Sequence, residues 1–314
     1  MRQDRLTLPP VLQIGEFPAL AQSLLNDRLP LHSLADIDAD DRLRGRISAI
    51  ATRSNYDIDV SLIERLPSLR IIATSGVGFD RIPVEFVRER GIVVTNTPDL
   101  LNAAVAELTI GLLLGLLRQL PRADRYVREG MWSRDAFPLG SSLAGKRVGI
   151  VGMGRIGKEI ARRLEPFGIE IAYFGRTRQT LPFEWFTTPT ELAHWSDILI
   201  ASCPGGSATR HLINAAVLKA LGPKGLLVNI ARGSVVDEAA LVAALESGSI
   251  GGAALDVFEN EPLDAGSSLR TFDTVVLAPH IGSATHETRL AMARLTADNI
   301  VSFLTTGKAL TPVI

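Results

Sequence analysis

The sequence predicts an α/β protein built from two doubly wound parallel sheets, and two observations support this fold class. Short runs of aliphatic and β-branched residues alternate with segments whose apolar residues recur at helical spacing along the 314-residue chain. A glycine-rich segment, residues 152–157, follows one of the short runs and precedes a helical pattern. Because parallel neighbours need a long, usually helical connection, this alternation predicts parallel sheets with crossover helices.

The predicted elements fall into two groups on either side of a long helical pattern. In the first group, strands are predicted at residues 11–14, 48–52, 70–74 and 92–96, with helices at 18–26, 59–66 and 83–90. A helix from Asn102 to about Val127 follows. Since its segment 104–120 is apolar nearly all round, we expect it to be buried against both domains or a second subunit. The second group begins at Lys146, has strands at 169–174, 197–201, 226–230, 253–257 and 275–278, and ends in a helix at 284–304.

Composition and charge exclude several classes of partner. The chain carries 33 Lys and Arg against 34 Asp and Glu, so it offers no basic field for a nucleic acid. The most apolar stretch, residues 108–117, is half the length that spans a bilayer, and the opening residues MRQDRLTLPP lack the apolar core of a signal peptide. The single cysteine, Cys203, cannot form an internal disulfide. We therefore expect a cytoplasmic protein that binds neither nucleic acid nor membrane.

The glycine-rich segment has the G-x-G-x-x-G pattern of a Rossmann-like dinucleotide site. Gly152 would permit the tight turn, Gly154 would let a pyrophosphate approach the backbone, and Gly157 would let the helix pack on the strand. The N–H groups at the start of that helix would bind the phosphates. Three glycines in a strand-to-helix turn can be purely structural, but the flanking strand and helix favour a dinucleotide site.

The residues after the next strand indicate which dinucleotide. A site that prefers NAD usually places Asp or Glu there to bind the ribose hydroxyls, whereas this chain has Gly175, Arg176, Thr177 and Arg178. Guanidinium groups suit a 2′-phosphate and no carboxylate is present to repel it. The segment predicts NADP(H), although both arginines could instead be ordinary solvated loop residues.

Three consecutive strands of the second group each end in a residue capable of chemistry. These residues are Arg232, Glu261 and His280. Because open parallel sheets bind ligands beyond the carboxyl ends of their strands, we expect the three to converge. An imidazolium at His280 could protonate a carbonyl oxygen during hydride delivery, Glu261 could stabilise that cation and orient its ring, and Arg232 could hold a substrate carboxylate. Taken singly, they could be a loop histidine, a turn acid and a surface cation. No metal is predicted.

In this ordered set of motifs the chain resembles the D-isomer-specific 2-hydroxyacid dehydrogenase family. The similarity spans essentially the whole chain, and the segments that carry it are 75–80, 96–99, 151–157, 229–233, 256–262 and 279–283. The resemblance implies that Arg232, Glu261 and His280 are catalytic, with His280 as the general acid and base. It also implies substrate binding by Val77 and Gly78 through their N–H groups, together with Arg232 and His280. Cofactor contacts are expected at Val105, Gly152, Gly154, Arg155, Ile156, Gly157, Gly175, Arg176, Thr177, Arg178, Cys203, Pro204, Ile230, Ala231, Asp256 and Gly282.

Within that family the chain looks most like the NADP-dependent glyoxylate/hydroxypyruvate reductases, through the Gly-Arg-Thr-Arg loop and the segment 99–102. The resemblance implies NADPH-dependent reduction of a small 2-keto acid to the D-2-hydroxy acid by a homodimer. We expect a discontinuous substrate-binding domain, residues 1–100 and 286–314, and a dinucleotide-binding domain, residues 101–285. The segment 203–206 departs from the commoner pattern, in which larger residues follow the proline.

Two alternatives from the same residues remain open. One is an NAD-linked oxidation of formate or phosphite on this scaffold, against which the arginine loop argues. The other is a binding protein that senses a dinucleotide, against which the presence of all three candidate catalytic residues argues. The motifs recognise only a keto-carboxylate, which glyoxylate, hydroxypyruvate, 2-ketogluconate and aromatic pyruvates share.

Overall fold

A computed structural model describes residues 8–314 of the chain. By its contacts the chain divides into two compact units, the first running through Leu101 and resuming at Ala284–Ile314, the second comprising Asn102–Ser283. The prediction that the opening residues MRQDRLTLPP are not a signal peptide concerns residues 1–10, most of which lie outside the described range.

The first unit is a five-stranded parallel sheet with helices. Its strands are β1 (Val11–Gln13), β2 (Leu31–His32), β3 (Ala49–Arg53), β4 (Ile71–Ser75) and β5 (Val93–Thr95), in the order β2-β1-β3-β4-β5. Its first helices are α1 (Ala19–Arg28), α2 (Leu34–Ala39), α3 (Asp41–Arg44), α4 (Val60–Glu64) and α5 (Val84–Glu89). The strands are buried on both faces, which is why they read as continuous apolar runs in the sequence.

The second unit contains a seven-stranded parallel sheet. Its helices are α6 (Asn102–Leu117), α7 (Leu120–Arg128), α8 (Arg155–Leu164), α9 (Pro189–Trp195), α10 (Ala215–Leu221) and α11 (Glu238–Glu246). Its strands are β6 (Arg147–Val151), β7 (Glu170–Phe174), β8 (Glu184–Phe186), β9 (Ile198–Ala201), β10 (Leu226–Asn229), β11 (Gly252–Leu255) and β12 (Val275–Leu277). The strand order is β12-β11-β10-β9-β6-β7-β8. The chain adds β7 and β8 on one side of β6 and then β9 to β12 on the other side, so the topological switch point lies between β6 and β9, where doubly wound sheets bind ligands. The α/β prediction with two parallel sheets is confirmed.

The last helix, α12 (His286–Thr306), returns to the first unit. Its Ala293, Ala297 and Ile300 are buried in the same core as the small strand residues Ala49 and Ala51. Small side chains on both elements let the helix approach the sheet closely, which fixes this segment in the first unit although it is distant in sequence.

The single helix predicted from Asn102 to about Val127 is wrong, because the segment forms two helices bent by 61°. Gln119 at the break has a left-handed φ of 52°. A proline ring clashes with the carbonyl four residues earlier, here Leu117, and the Leu117 carbonyl instead accepts the Ser141 N–H at 2.9 Å. Pro121, in the first turn of α7, therefore prevents α6 from continuing beyond Leu117.

Most apolar residues of α6 are buried, and within the second unit the helix packs on α8 and on strands β10–β12. Among the described residues, no single helix has the length and hydropathy to cross a membrane. Only the bent pair of α6 and α7 meets that criterion, by length and composition alone.

Candidate active site

The glycine-rich turn between β6 and α8 is built so that only glycine fits at two of its positions. Gly152 has φ 102°, and a Cβ there would lie 2.5 Å from the Cys203 nitrogen. A Cβ on Gly157 would lie 2.3 Å from the Gly152 carbonyl oxygen, so the absence of a side chain lets α8 pack against the turn. A Cβ on Gly154 would meet nothing within 4 Å, so the backbone is open on that side. This arrangement is the one that a pyrophosphate requires.

The loop after β7 is tied to the glycine-rich turn. The Tyr173 hydroxyl accepts the Gln179 N–H at 2.7 Å, and the Gln179 side-chain amide donates to the Met153 carbonyl at 2.8 Å. These bonds fix the start and end of a loop whose Arg176 and Arg178 are exposed. Within residues 8–314, neither arginine forms an ion pair with a carboxylate. Both guanidinium groups are therefore available to an anion.

The strongest contact among the candidate catalytic residues joins Glu261 and His280. The Nδ1 atom of His280 lies 2.7 Å from Oε2 of Glu261, and the Phe258 N–H donates to Oε1 of the same carboxylate at 3.1 Å. Burial raises the pKa of Glu261. The hydrogen bond and charge of His280, with smaller contributions from Phe258 and Arg232, lower the pKa by more than burial raises it, so the net pKa lies below its ordinary value. Glu261 is thus an anion that binds one ring nitrogen and leaves Nε2 for other partners.

Asp256 holds the turn that carries His280. The Asp256 side chain is buried and accepts the N–H groups of Ile281 at 2.7 Å and Gly282 at 2.8 Å, while its carbonyl accepts the His280 N–H. His280 has a left-handed φ of 54°, an uncommon conformation that this set of bonds stabilises. Burial raises the pKa of the Asp256 carboxyl. We predicted Asp256 only as a cofactor contact, and its anchoring of the histidine turn was missed.

Arg232 lies at the end of β10, close to the turn that contains Glu261. The Asn229 side chain bridges this segment, donating to the Arg232 carbonyl at 3.0 Å and accepting the Ala231 N–H at 3.0 Å. A Cβ on Gly233 would lie 1.8 Å from the Phe258 carbonyl carbon, so the loops after β10 and β11 are in direct backbone contact. The second unit thus brings Arg232, Glu261 and His280 together at neighbouring strand ends, as the sequence predicted.

The remaining predicted cofactor residues of the second unit lie around the same strand ends. A Cβ on Gly282 would lie 3.0 Å from Oδ2 of Asp256 and 3.3 Å from Cγ2 of Val105, so these three are neighbours. Cys203 is buried beside the Gly152 turn, and burial raises the pKa of its thiol to about 11. A thiol with that pKa is not a nucleophile at neutral pH, in agreement with the expectation of a small buried residue.

Val77 and Gly78, the predicted carboxylate-binding residues, follow β4 in the first unit. Gly76 precedes them, and a Cβ there would lie 2.3 Å from the Ser54 hydroxyl oxygen. Ser54, the residue after β3, therefore lies against the turn and leaves no space for a side chain at Gly76.

Comparison with known proteins identifies the class. Residues 110–282 match the family model described as D-isomer specific 2-hydroxyacid dehydrogenase, NAD binding domain. A glyoxylate/hydroxypyruvate reductase A of Arabidopsis thaliana is 46% identical over 272 residues, which cover 86% of this chain and 87% of that protein. A hydroxyphenylpyruvate reductase of Plectranthus scutellarioides is 45% identical over 269 residues, 85% of this chain and 86% of that protein.

Among solved structures, an NADPH-dependent glyoxylate/hydroxypyruvate reductase from Sinorhizobium meliloti, in complex with NADP and malonate, is 46% identical. It superposes with a TM-score of 0.92, covering 98% of this chain and 97% of that chain. The fold and site described above define a nicotinamide-dependent oxidoreductase. The chain belongs to the D-isomer specific 2-hydroxyacid dehydrogenase family.

Proposed function

We propose that this enzyme reduces a small 2-keto acid of the glyoxylate or hydroxypyruvate type to the D-2-hydroxy acid, with NADPH as the hydride donor. The observation that supports this most strongly is the 2.7 Å contact between Glu261 and His280. This contact pairs the proposed proton donor with an anion at the carboxyl edge of the seven-stranded sheet, the edge that also carries the glycine-rich turn. The named activities of the relatives support the same choice of substrate.

NADPH, when bound by the residues named below, would supply the hydride for the carbonyl carbon of the substrate. Negative charge develops on the carbonyl oxygen, and His280 protonates it from Nε2 while Glu261 stabilises the imidazolium. Arg232 holds the substrate and polarises the carbonyl, because a guanidinium can bind a carboxylate and stabilise the developing oxyanion. The N–H groups of Val77 and Gly78 bind the substrate carboxylate.

The proposed cofactor contacts divide by the part of the dinucleotide that they would bind. The turn Gly152, Gly154 and Gly157, with the α8 N-terminus at Arg155 and Ile156, would bind the pyrophosphate. The loop of Gly175, Arg176, Thr177 and Arg178 would bind the 2′-phosphate. The contacts assigned to the nicotinamide end are Val105, Cys203, Pro204, Ile230, Ala231, Asp256 and Gly282.

Replacing both loop arginines tests the preference for NADPH. We expect Arg176→Met with Arg178→Met to raise KM for NADPH by roughly a hundredfold and to change KM for NADH little, because only NADPH loses charge-assisted hydrogen bonds. Steady-state kinetics with both cofactors measures this. A matched control is Arg42→Met with Arg46→Met, two exposed arginines of the first unit. Equal losses with NADPH and NADH would contradict the 2′-phosphate assignment.

The proposed reaction itself is tested by following NADPH absorbance with a panel of 2-keto acids. We expect turnover with glyoxylate and hydroxypyruvate, and D-glycerate as the product of hydroxypyruvate. Chiral chromatography of the glycerate distinguishes the two enantiomers. L-Glycerate, or an absence of turnover with every 2-keto acid in the panel, would refute the proposal.

We also propose that the enzyme is a homodimer, as the family resemblance implies, and that it is cytoplasmic, as its single cysteine suggests. Large apolar side chains on and after α7 support an interface there, since Trp132 is 71% and Leu139 is 96% exposed. Light scattering during size-exclusion chromatography should give twice the mass of one chain, and the mass of a single chain would refute the dimer.

A further inference from the structure

The sequence motif at residues 96–99 has no role in the mechanism above, yet its first two residues contact the turn assigned to the substrate carboxylate. Asn96 is 6% and Thr97 is 1% exposed, directly after β5. The side-chain amide of Asn96 donates to the Val77 carbonyl at 2.8 Å. The backbone N–H of Thr97 donates to the Gly76 carbonyl at 2.8 Å, and the Thr97 hydroxyl contacts both Gly76 backbone groups.

These bonds fix the orientation of two successive peptide groups. In a trans peptide the carbonyl and the N–H of the same plane point in opposite directions. The Gly76 carbonyl shares its plane with the Val77 N–H, and the Val77 carbonyl shares its plane with the Gly78 N–H. Holding both carbonyls on the side of residues 96 and 97 therefore turns both N–H groups to the opposite side.

Neither of these two N–H groups has a hydrogen-bond acceptor within the part of the chain that the structure describes. Two adjacent N–H groups aimed the same way form an anion-binding concavity. Three groups hold the two carbonyls: the Thr97 N–H and hydroxyl bond to the Gly76 carbonyl, and the Asn96 side-chain amide bonds to the Val77 carbonyl. A substitution at Asn96 therefore removes the donor to the Val77 carbonyl and leaves the backbone bond of Thr97 in place.

We propose that Asn96 is a positioning residue, which aims the Val77 and Gly78 N–H groups at the substrate carboxylate by holding the Val77 carbonyl. The inference rests on the proposed function, because that function assigns the carboxylate to these two groups. Asn96 itself does not touch the substrate. Its hydrogen bond to the Val77 carbonyl exists before the substrate binds, so the two N–H groups need not reorient when the substrate carboxylate binds to them.

A second layer of hydrogen bonds holds Asn96 in place. The Thr311 hydroxyl donates to the Asn96 carbonyl at 2.6 Å. Asn299, which is fully buried on α12, donates to the Thr311 hydroxyl at 2.9 Å and accepts the N–H groups of Leu310 and Thr311. The last helix of the first unit thus supports the carboxylate turn through residues that are distant in sequence.

The test removes the Asn96 donor in two ways, once with the size of the side chain kept and once without. Asn96→Asp is nearly isosteric, but its carboxylate cannot donate to the Val77 carbonyl, and Asn96→Ala removes the side chain entirely. We expect both variants to weaken the binding of oxalate, a carboxylate probe that cannot be reduced, about tenfold or more, which is the loss of one good hydrogen bond. Titration calorimetry on the NADPH complex measures this, and KM for glyoxylate should rise in parallel.

The readout that separates positioning from general destabilisation is selectivity between ligands. NADPH affinity should stay within about twofold of the parent, because the cofactor turn lies in the second unit. Thr296→Val is the matched control: it deletes a buried hydroxyl of α12 that bonds only within its own helix, and it should leave oxalate affinity unchanged. In hydrogen exchange, bound oxalate should protect the amides of residues 77 and 78 in the parent and protect them less in Asn96→Ala.

The outcomes for the two proposals are distinct. If the parent binds oxalate but turns over no 2-keto acid, the proposed function fails while the oxalate titration still tests Asn96. If both Asn96 variants bind oxalate as the parent does, or if the parent does not bind it, the positioning role is wrong. An equal loss of oxalate and NADPH affinity would also overturn it, because that result indicates a merely structural residue.

Discussion

Replacing His280 by Gln is expected to lower kcat for keto-acid reduction by about 10²–10⁴-fold, the range that removal of a general acid produces. Glutamine retains a hydrogen-bonding group next to Glu261, but its amide cannot release a proton at neutral pH. The developing oxyanion would then depend on water or on Arg232 for stabilisation.

The same substitution should leave NADPH binding nearly intact, because His280 takes no part in the Gly152–Gly157 turn or the arginine loop. Fluorescence titration with NADPH checks this, and single-turnover kinetics isolates the chemical step. His194→Gln, an exposed histidine of α9, is the matched control and should behave as the parent. A His280→Gln enzyme that keeps more than a tenth of the parent kcat would rule out His280 as the proton donor.

Replacing Glu261 by Gln is expected to lower the rate of reduction at neutral pH by about ten- to a hundredfold. Glutamine keeps the shape of the side chain and can still accept the Phe258 N–H, but it brings no charge to the imidazolium. Because the net pKa of Glu261 lies below its ordinary value, the carboxylate is an anion over the whole range in which a histidine changes protonation. The loss therefore measures the stabilisation of the cation by that anion.

A structural side effect of Glu261→Gln would appear as lower thermal stability or weaker NADPH binding. We expect little change in either, since the substitution preserves the volume of a side chain that is already in contact with solvent. Glu259→Gln is a matched control on the same turn. The Glu259 carboxylate contacts Arg210 and His211 instead of the catalytic histidine. A similar rate loss in both variants would mean that the turn as a whole, and not the charge of Glu261, is responsible.

Most strands of the two sheets could be predicted because they are buried on two faces. The strands predicted at 70–74 and 226–230 correspond to β4 (Ile71–Ser75) and β10 (Leu226–Asn229). The convergence of Arg232, Glu261 and His280 was predictable for a related reason. Parallel neighbours share one carboxyl edge, so residues that follow successive strands lie close together without any knowledge of the loops.

The elements that were missed are short or depend on distant partners. β2 has only two residues, too few for a pattern to be recognised. β8 (Glu184–Phe186) is a partly exposed edge strand that begins with a charged residue, so it lacks the apolar run of the buried strands. The break between α6 and α7 had two local signals, Pro121 and the change there from an apolar to a charged segment, which the prediction of a single helix overlooked.

Two side chains show why a site's supporting residues are harder to predict than its reactive ones. Asp256 anchors the His280 turn across 25 residues, and Asn96 holds the Val77 carbonyl across 19. In both, a side chain bonds to backbone groups of another loop, and sequence spacing contains no information about such pairings. A buried polar residue directly after a strand is the signal that could have suggested them, because it must find a hydrogen-bond partner.

The central claim, that His280 donates the proton and Glu261 stabilises its charged form, is tested most directly by the pH–rate profile of Glu261→Gln beside the parent. Under conditions in which chemistry limits the rate, reduction in the parent should fall as pH rises and the imidazolium loses its proton, while oxidation of the hydroxy acid should rise. Removing the anion makes the imidazolium easier to deprotonate. The fall in the reduction rate and the rise in the oxidation rate should therefore both move to lower pH by about one unit. If the pH dependence of the two rates is the same in Glu261→Gln as in the parent, or moves to higher pH, the pairing of Glu261 with His280 is contradicted.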